Sequence, residues 1–173
     1  MAVTLSSRIG SAPRSDDIRA SAARRQCPAA KVGSASRASL IAASGSLSDD
    51  VDAVIVELGA NDALRGLPPP QARAALDGIL ARLAEKGRPT LVAGMRSPPN
   101  MGPDYVSAFD GMYPELAKKY QAILYPFFLD GVAAEPRLNQ ADGIHPNAEG
   151  VAVIVRAFRP HVVAALGQGG VAR

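Results

Sequence analysis

Three apolar runs along the chain have the length and composition of buried strands. They cover residues 51–58, 90–95 and 122–126, and the first is nearly continuous in apolar residues until it ends at Gly59. A run of this kind is typical of a parallel strand that is covered on both faces. The pattern therefore predicts three strands of one parallel sheet.

Helical periods separate these runs. The first begins near residues 68–70, stops at Lys86 and Gly87, and has one apolar face of Ala72, Ala75, Leu76, Ile79, Leu80 and Leu83. The second is predicted to be capped by Asp104 and to kink or restart at Pro114. The third begins near Pro146 and is predicted to be interrupted at Pro160. Strands that alternate with helices indicate an α/β fold, in which helices cover a parallel sheet.

Residues 1–48 show no sustained period of 2 or 3.6. They contain 11 Ser and 11 Ala and no aromatic residue. Short strands at Ala2–Leu5 and residues 40–43, and a weak helix over residues 15–26, are all that the pattern predicts there. The composition resembles that of an organelle transit peptide, and a disordered arm is the simpler interpretation.

The positive net charge comes from the same segment. Residues 1–48 hold seven of the 19 basic residues but two of the 16 acidic ones, so the rest of the chain is slightly acidic. Scattered arginines without aromatic residues do not favour a nucleic-acid partner. No apolar run has the length of a membrane span or of a signal-peptide core, so the chain as written is expected to be cytoplasmic. Cys27 is the single cysteine and excludes an intrachain disulfide.

Asp142 stands three residues before His145 in a segment rich in turn-forming residues. A carboxylate that orients an imidazole is the base half of a nucleophilic triad. The alternative is a plain turn, because Asp, Gly, Pro and Asn favour turns. One histidine and one carboxylate are too few ligands for a metal site.

Gly59 and Asn61 follow the first predicted strand. The amide of Asn61 has the chemistry to donate to an oxyanion, together with backbone N–H groups. The alternative is a strand-to-helix turn that uses Gly and Asn for backbone reasons. Because function in parallel sheets gathers at the carboxyl ends of strands, Asn61 and His145 are predicted to lie at one edge.

Five segments in collinear order resemble the SGNH (GDSL-type) hydrolases. They are VELGANDALRGLPP (56–69), MRSPPNMGPDY (95–105), YPELAKKY (113–120), YPFFLDGVA (125–133) and LNQADGIHPNAEG (138–150). The resemblance covers residues 50–167 and is strongest to bacterial arylesterases, acyl-thioesterases and lysophospholipases.

The resemblance implies a three-layer, flavodoxin-like α/β/α fold and two-step hydrolysis of an acyl or aryl ester or thioester without a cofactor. It implies His145 as the base, Asp142 as its orienting acid, and Asn61 with Gly59 as oxyanion donors. Residues 97–103 match a segment that lines the acyl or aryl group, where Pro99 and Met101 supply apolar contact. A plain surface connection is the alternative for that loop. Relatives are often periplasmic or secreted.

The family's nucleophile block, Gly-Asp-Ser at the end of the first strand, is absent from this sequence. Ser46 is too close to Asn61, because a parallel crossover needs roughly 30 residues or more. Ser6 and Ser7 are far enough away but lack the flanking residues, and stay weak candidates. We hypothesise that a frameshift replaced the first strands; other reading frames upstream of the Asp49 codon would then encode Gly-Asp-Ser.

These observations predict a hydrolase domain at residues 49–168, an atypical segment at 1–48 and a tail at 169–173. Loss of the first strand would leave an unpaired sheet edge, unless residues 1–48 supply a substitute. The predicted function is an SGNH-type ester or thioester hydrolase, impaired because no nucleophilic serine is identifiable. The alternative is an inactive relative that binds acyl or aryl ligands.

Overall fold

The computed structural model describes residues 2–5 and 51–169. The strands are β1 (Ala2–Leu5), β2 (Ala53–Glu57), β3 (Thr90–Ala93) and β4 (Ile123–Tyr125), and the α-helices are α1 (Ala60–Leu64), α2 (Pro69–Glu85), α3 (Pro103–Lys119) and α4 (Ala148–Gly169). Single 3-10 turns lie at Pro99–Met101 and Pro136–Leu138. The predictions for residues 15–26 and 40–43, and the serines Ser6 and Ser7, fall outside the described residues.

The strands form one sheet in the order β1-β2-β3-β4. β2, β3 and β4 are parallel, with Ile55 opposite Leu91 and Leu91 opposite Ile123. The three predicted strands are thus confirmed, each a few residues shorter than its apolar run. Because the three strands are parallel, their carboxyl ends lie side by side. The segments that follow β2, β3 and β4 therefore leave the sheet at the same end.

β1 pairs with the free edge of β2 and runs antiparallel to it. Ala2 lies opposite Val56 and Leu5 lies opposite Ala53. The predicted short strand is therefore present and supplies the substitute pairing that the edge needed. The carboxyl end of β1 lies beside the amino end of β2. Gly59 and Asn61 follow the carboxyl end of β2, so they lie at the opposite end of the strands.

Apolar side chains of the sheet alternate between two helix layers. Val54, Val56 and Val92 pack with α2 and α3 in one cluster, whereas Ala53, Ile55 and Leu91 pack with α4 in the other. The period of two along each strand sends successive side chains to opposite faces. The result is the three-layer α/β/α arrangement that the resemblance implies, and it agrees with the helix-covered parallel sheet expected from the alternation of strands and helices.

Neither internal proline breaks its helix, contrary to the sequence prediction. α3 continues through Pro114 and α4 continues through Pro160. A proline removes the backbone hydrogen bond to the carbonyl four residues earlier. Both prolines lie on the solvent-exposed side of their helix. The carbonyl groups that lose a backbone N–H partner there can form hydrogen bonds with water instead.

The loop after β3 also differs from its prediction. A 3-10 turn forms at Pro99–Met101, and α3 begins at Pro103, not after a cap at Asp104. Proline suits this first position because the N–H that it lacks would be unpaired there. Asp104 lies in the first turn, where its charge favours the helix dipole without capping the helix.

α4 is long and apolar enough to cross a membrane by length and composition, with a mean hydropathy of 1.4. Core helices of soluble proteins share this length and composition. Here Ile154, Phe158 and Ala165 are buried against the sheet, while Val151, Val155 and Val163 are exposed.

Candidate active site

Asp142 holds His145 by its ring and by its backbone. Oδ2 of Asp142 lies 2.7 Å from Nδ1 of His145. Oδ1 accepts the backbone N–H groups of Ile144, at 2.9 Å, and of His145, at 3.0 Å. The three-residue spacing thus makes a closed turn, with Gly143 at φ 69° in the left-handed region that favours glycine. The turn predicted for this segment is present, and it brings the carboxylate of Asp142 to the ring of His145. The catalytic role of the pair stays a prediction.

The backbone N–H of His145, followed by its ring and the N–H of Ile144, lowers the pKa of Asp142 to about 2. Donors that bond a carboxylate favour its charged form. Asp142 is therefore ionised throughout the neutral range and can hold a proton on Nδ1 of His145. That tautomer leaves Nε2 with a lone pair, as a general base requires.

The two ends of the Asp142–His145 turn are bonded to each other. Asn139 forms an isolated antiparallel bridge with Pro146. The N–H of Gln140 donates to the carbonyl of His145 at 2.8 Å, and the side-chain amide of Gln140 donates to the carbonyl of Pro146 at 3.1 Å. We call residues 139–140 and 145–147 the neck of the turn. It closes the loop independently of the Asp142–His145 contact.

Two asparagines fix the neck to the rest of the domain, and the sequence analysis assigned neither of them. Asn139 is buried and donates to the carbonyls of Val132, at 2.7 Å, and of Glu135, at 2.9 Å. Asn147 accepts two N–H groups at the start of α4 and donates to the carbonyls of Arg137, just before the neck, and of Asn139, within it. The preference of Asn for helix N-caps is the sequence signal that could have identified Asn147.

Gly59 lies between β2 and α1, at the N-cap position of α1. Its φ is 110°, and its carbonyl accepts the N–H groups of Asp62, at 3.0 Å, and of Ala63, at 3.1 Å. Asn61 accordingly lies in the first turn of a helix, and its side chain is exposed. Within the described residues its side-chain amide makes no hydrogen bond, so the donor group is available to a ligand.

Tyr113 packs against Gly59 and forms a hydrogen bond with the residue before it. Its hydroxyl donates to the carbonyl of Leu58 at 2.9 Å, and burial raises the pKa of Tyr113 well above its usual value, so the donor proton is retained. A methyl group on Gly59 would collide with this hydroxyl. Close approach and positive φ both require glycine here, and Tyr113 was not identified from the sequence.

Met101 lies beside the segment that follows Asn61. A Cβ added to Gly66 would be 3.2 Å from Cε of Met101, and the hydroxyl of Tyr105 donates to the carbonyl of Leu67 at 2.8 Å. The loop of residues 97–103 is thus packed against the chain just beyond α1. Pro99 is exposed on the same loop.

A narrow apolar cleft lies beneath α1, lined by Leu58, Gly59, Asp62, Ala72, Ala75, Leu76, Ile79 and Met112. Asp62 is its one charged residue. Burial raises the pKa of Asp62, and the nearby charge of Arg65 opposes that rise. Asp62 was missed by the sequence analysis because the helical turn that buries it cannot be seen in the local pattern.

The predicted site residues form two groups that follow parallel strands. Gly59, Asn61 and Met101 lie after β2 and β3, and the Asp142–His145 pair lies after β4. No hydrogen bond joins Asn61 to His145 among the residues that the structure describes. Over the same residues, no group of three or more His, Cys, Asp or Glu side chains forms a possible metal site.

Comparison with known proteins gives one consistent result. The model of the GDSL-like lipase/acylhydrolase family matches residues 10–153. Esterase TesA of Pseudomonas aeruginosa is 42% identical over 93 residues, which are 54% of this chain and 46% of that protein. Thioesterase 1/protease 1/lysophospholipase L1 of Escherichia coli K12 is 43% identical over 96 residues, 56% of this chain and 46% of that protein.

The crystal structure of AlinE4, an SGNH-hydrolase family esterase, is similar with a TM-score of 0.57 and 48% identity, over 75% of this chain and 69% of that one. The flavodoxin-like fold expected from the resemblance is thereby confirmed. The chain spans about half the length of the curated relatives it matches. The family match begins at residue 10, inside the segment that composition sets apart.

Proposed function

The chain belongs to the GDSL-like lipase/acylhydrolase family, and on that premise we propose that it is a carboxylic ester or thioester hydrolase with His145 as its general base. The observation that carries this proposal is the 2.7 Å contact between Asp142 Oδ2 and His145 Nδ1. Asp142 stays charged at neutral pH, so it holds the tautomer in which Nε2 accepts a proton.

The proposed reaction has two steps. A hydroxyl nucleophile attacks the ester carbonyl and gives its proton to Nε2 of His145, which then protonates the departing alcohol or thiol. Water attacks the resulting acyl-enzyme, gives a proton to the same nitrogen, and the acid is released as the nucleophile regains its proton. Ser6 and Ser7 stay the weak candidates for that nucleophile, and both lie outside the described residues.

Asn61 is proposed to stabilise the negative charge that develops on the carbonyl oxygen. Its exposed side-chain amide has no other hydrogen bond among the described residues, and the N–H of Gly59 is proposed to donate beside it. One donor of this type typically lowers the barrier by about 2.7–4 kcal/mol. Tyr113 holds the carbonyl of Leu58, so the turn that presents these donors is firmly attached to α3.

Pro99 and Met101 are proposed to contact the apolar part of the substrate. Met101 lies against Gly66, so its side chain forms part of the surface beside α1. An apolar side chain at this place gains free energy by covering an acyl or aryl group. The relatives' names, esterase and thioesterase, agree with such a substrate but do not distinguish the two bonds.

The experiment is hydrolysis of p-nitrophenyl acetate and p-nitrophenyl butyrate by the purified full chain. We expect turnover that falls at least 100-fold in His145→Ala and stays unchanged in His161→Ala, the matched control at the chain's second histidine. Equal rates in His145→Ala and the unsubstituted chain would contradict His145 as the base.

A second candidate function is ligand binding without turnover. It is favoured by the absence of Gly-Asp-Ser from the sequence, and by the direction of β1, which ends at the sheet edge away from Asn61. A chain of this kind would bind a fatty acid, detected by calorimetry, and leave p-nitrophenyl esters intact. Weaker binding in Met101→Ala, with no hydrolysis by either protein, would support this candidate over the enzyme.

A further inference from the structure

Asn147 bonds in two directions at the junction between the neck and α4. Its Oδ1 accepts the N–H groups of Glu149 and Gly150, both at 3.0 Å. Its Nδ2 donates to the carbonyl of Arg137 at 2.7 Å and to that of Asn139 at 3.3 Å. One amide therefore joins the start of the helix to the 3-10 turn at Pro136–Leu138 and to Asn139, which precede the Asp142–His145 turn.

We propose that Asn147 is a positioning residue for the general base, which sets the orientation of the His145 ring by holding the neck of the turn to α4. The inference rests on the proposed function in one respect, that His145 is the base. The geometry itself does not depend on turnover, because it concerns how the ring is held.

A helix cap alone does not account for these contacts. An N-cap residue needs only an oxygen that accepts the N–H groups of the first turn. Asp, Ser and Thr supply that oxygen as well as Asn does, yet none of them can donate two hydrogen bonds from a planar amide to the carbonyls of Arg137 and Asn139. The donating half of Asn147 is what connects the cap to the turn.

The helix start is also closely packed against the neck. A Cβ added to Gly150 would collide with the carbonyl oxygen of Leu138, and the N–H of Asn147 donates to that same oxygen at 2.9 Å. The side-chain amide of buried Asn139, in the neck, donates to the carbonyls of Val132 and Glu135. The neck is therefore bonded both to the start of α4 and to the segment of residues 132–135, and His145 is part of the neck.

The test uses Asn147→Asp and Asn147→Ala in the full chain. Asn147→Asp keeps the cap and replaces the donor by an oxygen that faces two carbonyl oxygens, whereas Asn147→Ala removes both halves. Ala152 is exposed on α4, and Ala152→Gly is the control because it lowers the helix propensity of α4 and leaves the neck unchanged.

The measurement is the tautomer of His145, read from nitrogen-15 multiple-bond spectra of the imidazole rings. The chain has two histidines, so His161 serves as an internal reference. We expect mainly the Nδ1–H tautomer in the unsubstituted chain and in Ala152→Gly. The Nδ1–H to Nε2–H ratio is expected to fall at least threefold in Asn147→Asp and in Asn147→Ala.

An unchanged ratio in Asn147→Asp would overturn the proposal and leave Asn147 as a cap only. Should either variant fail to fold, Asn147→Ser keeps the cap with a single donor, and the same threefold criterion applies to it. Turnover of p-nitrophenyl butyrate is recorded separately. A chain without turnover whose tautomer ratio still responds to Asn147 would refute the proposed hydrolysis and retain the positioning role.

Discussion

The hydroxyl of Tyr113 reaches across 55 residues of sequence to donate a 2.9 Å hydrogen bond to the carbonyl of Leu58. It joins the middle of α3 to the residue that precedes Gly59, at the carboxyl end of β2. Tyr113 also contacts Phe109 edge to face, with ring centroids 5.7 Å apart. The proposed oxyanion donors Gly59 and Asn61 therefore stand on a buried aromatic support.

Tyr113→Phe is expected to lower the free energy of unfolding by about 1–3 kcal/mol, because it leaves the half-buried Leu58 carbonyl without the donor that buried Tyr113 supplies. Urea denaturation measures the change. Tyr120→Phe is the control, since its hydroxyl donates to Asp77, which also bonds Lys119 and is partly exposed. An equal loss in both variants would contradict a special role for the Tyr113 contact.

Gly59→Ala is expected to destabilise the chain by about 2–4 kcal/mol, because positive φ and a collision with the Tyr113 hydroxyl act together. Gly87→Ala separates the two causes. Gly87 has φ 61° but no atom within 4 Å of an added Cβ, so it reports backbone strain alone. Thermal unfolding of both variants should show the larger loss at Gly59, and Tyr113→Phe should reduce that loss.

The sheet and its two helix layers were predictable because burial dictates them. A parallel strand covered on both faces must be apolar throughout, as around Ile55 and Leu91, and a helix such as α2 must repeat its apolar face every 3.6 residues. The prolines were misjudged since their cost depends on exposure, which the local sequence does not contain. Pro114 and Pro160 both lie on the solvent side.

The site was predictable only where its contacts are local. Asp142 and His145 are three residues apart, so one turn brings them together. Tyr113 meets Leu58 through a helix packed on the sheet, and no short-range pattern encodes such a contact. The antiparallel direction of β1 could not be predicted from the sequence either. The short, mostly apolar segment Ala2–Leu5 suits both directions of pairing, and only its register with β2 shows which one forms.

The stability contributed by Asp142 is expected to depend on pH. Its pKa in the folded chain is about 2, below the 3.8 of an unperturbed aspartate, so the charged form is favoured by folding. The contribution is complete above the unfolded pKa and is lost as the pH falls from about 5 towards 2. Asp142→Asn should therefore be less stable than the unsubstituted chain at pH 7, and the difference should shrink towards pH 3.

Urea denaturation at pH 7, 5 and 3 measures this difference. Asp130→Asn is the control at an exposed aspartate on the loop after β4. A stability difference for Asp142→Asn that stays constant from pH 7 to pH 3 would show that the His145 and Ile144 donors do not stabilise the charged carboxylate.

Adjacent proline substitutions test the pairing of β1 with β2. In an antiparallel edge strand, N–H groups of successive residues point alternately to the neighbouring strand and to solvent. Proline removes the N–H, so it is tolerated at one of two neighbouring positions and not at the other. Val3 and Thr4 are such neighbours, opposite Ile55 and Val54.

One of Val3→Pro and Thr4→Pro is therefore expected to expose the edge of β2, which is rich in Val and Ile, and to promote aggregation, while the other stays monodisperse. Light scattering at matched concentrations during size-exclusion chromatography compares the two. Deleting residues 1–5 should reproduce the damaging variant, because it removes the whole strand. If both proline variants and the deletion stay monodisperse like the unsubstituted chain, the pairing of β1 with β2 is not what prevents β2 from associating with other chains.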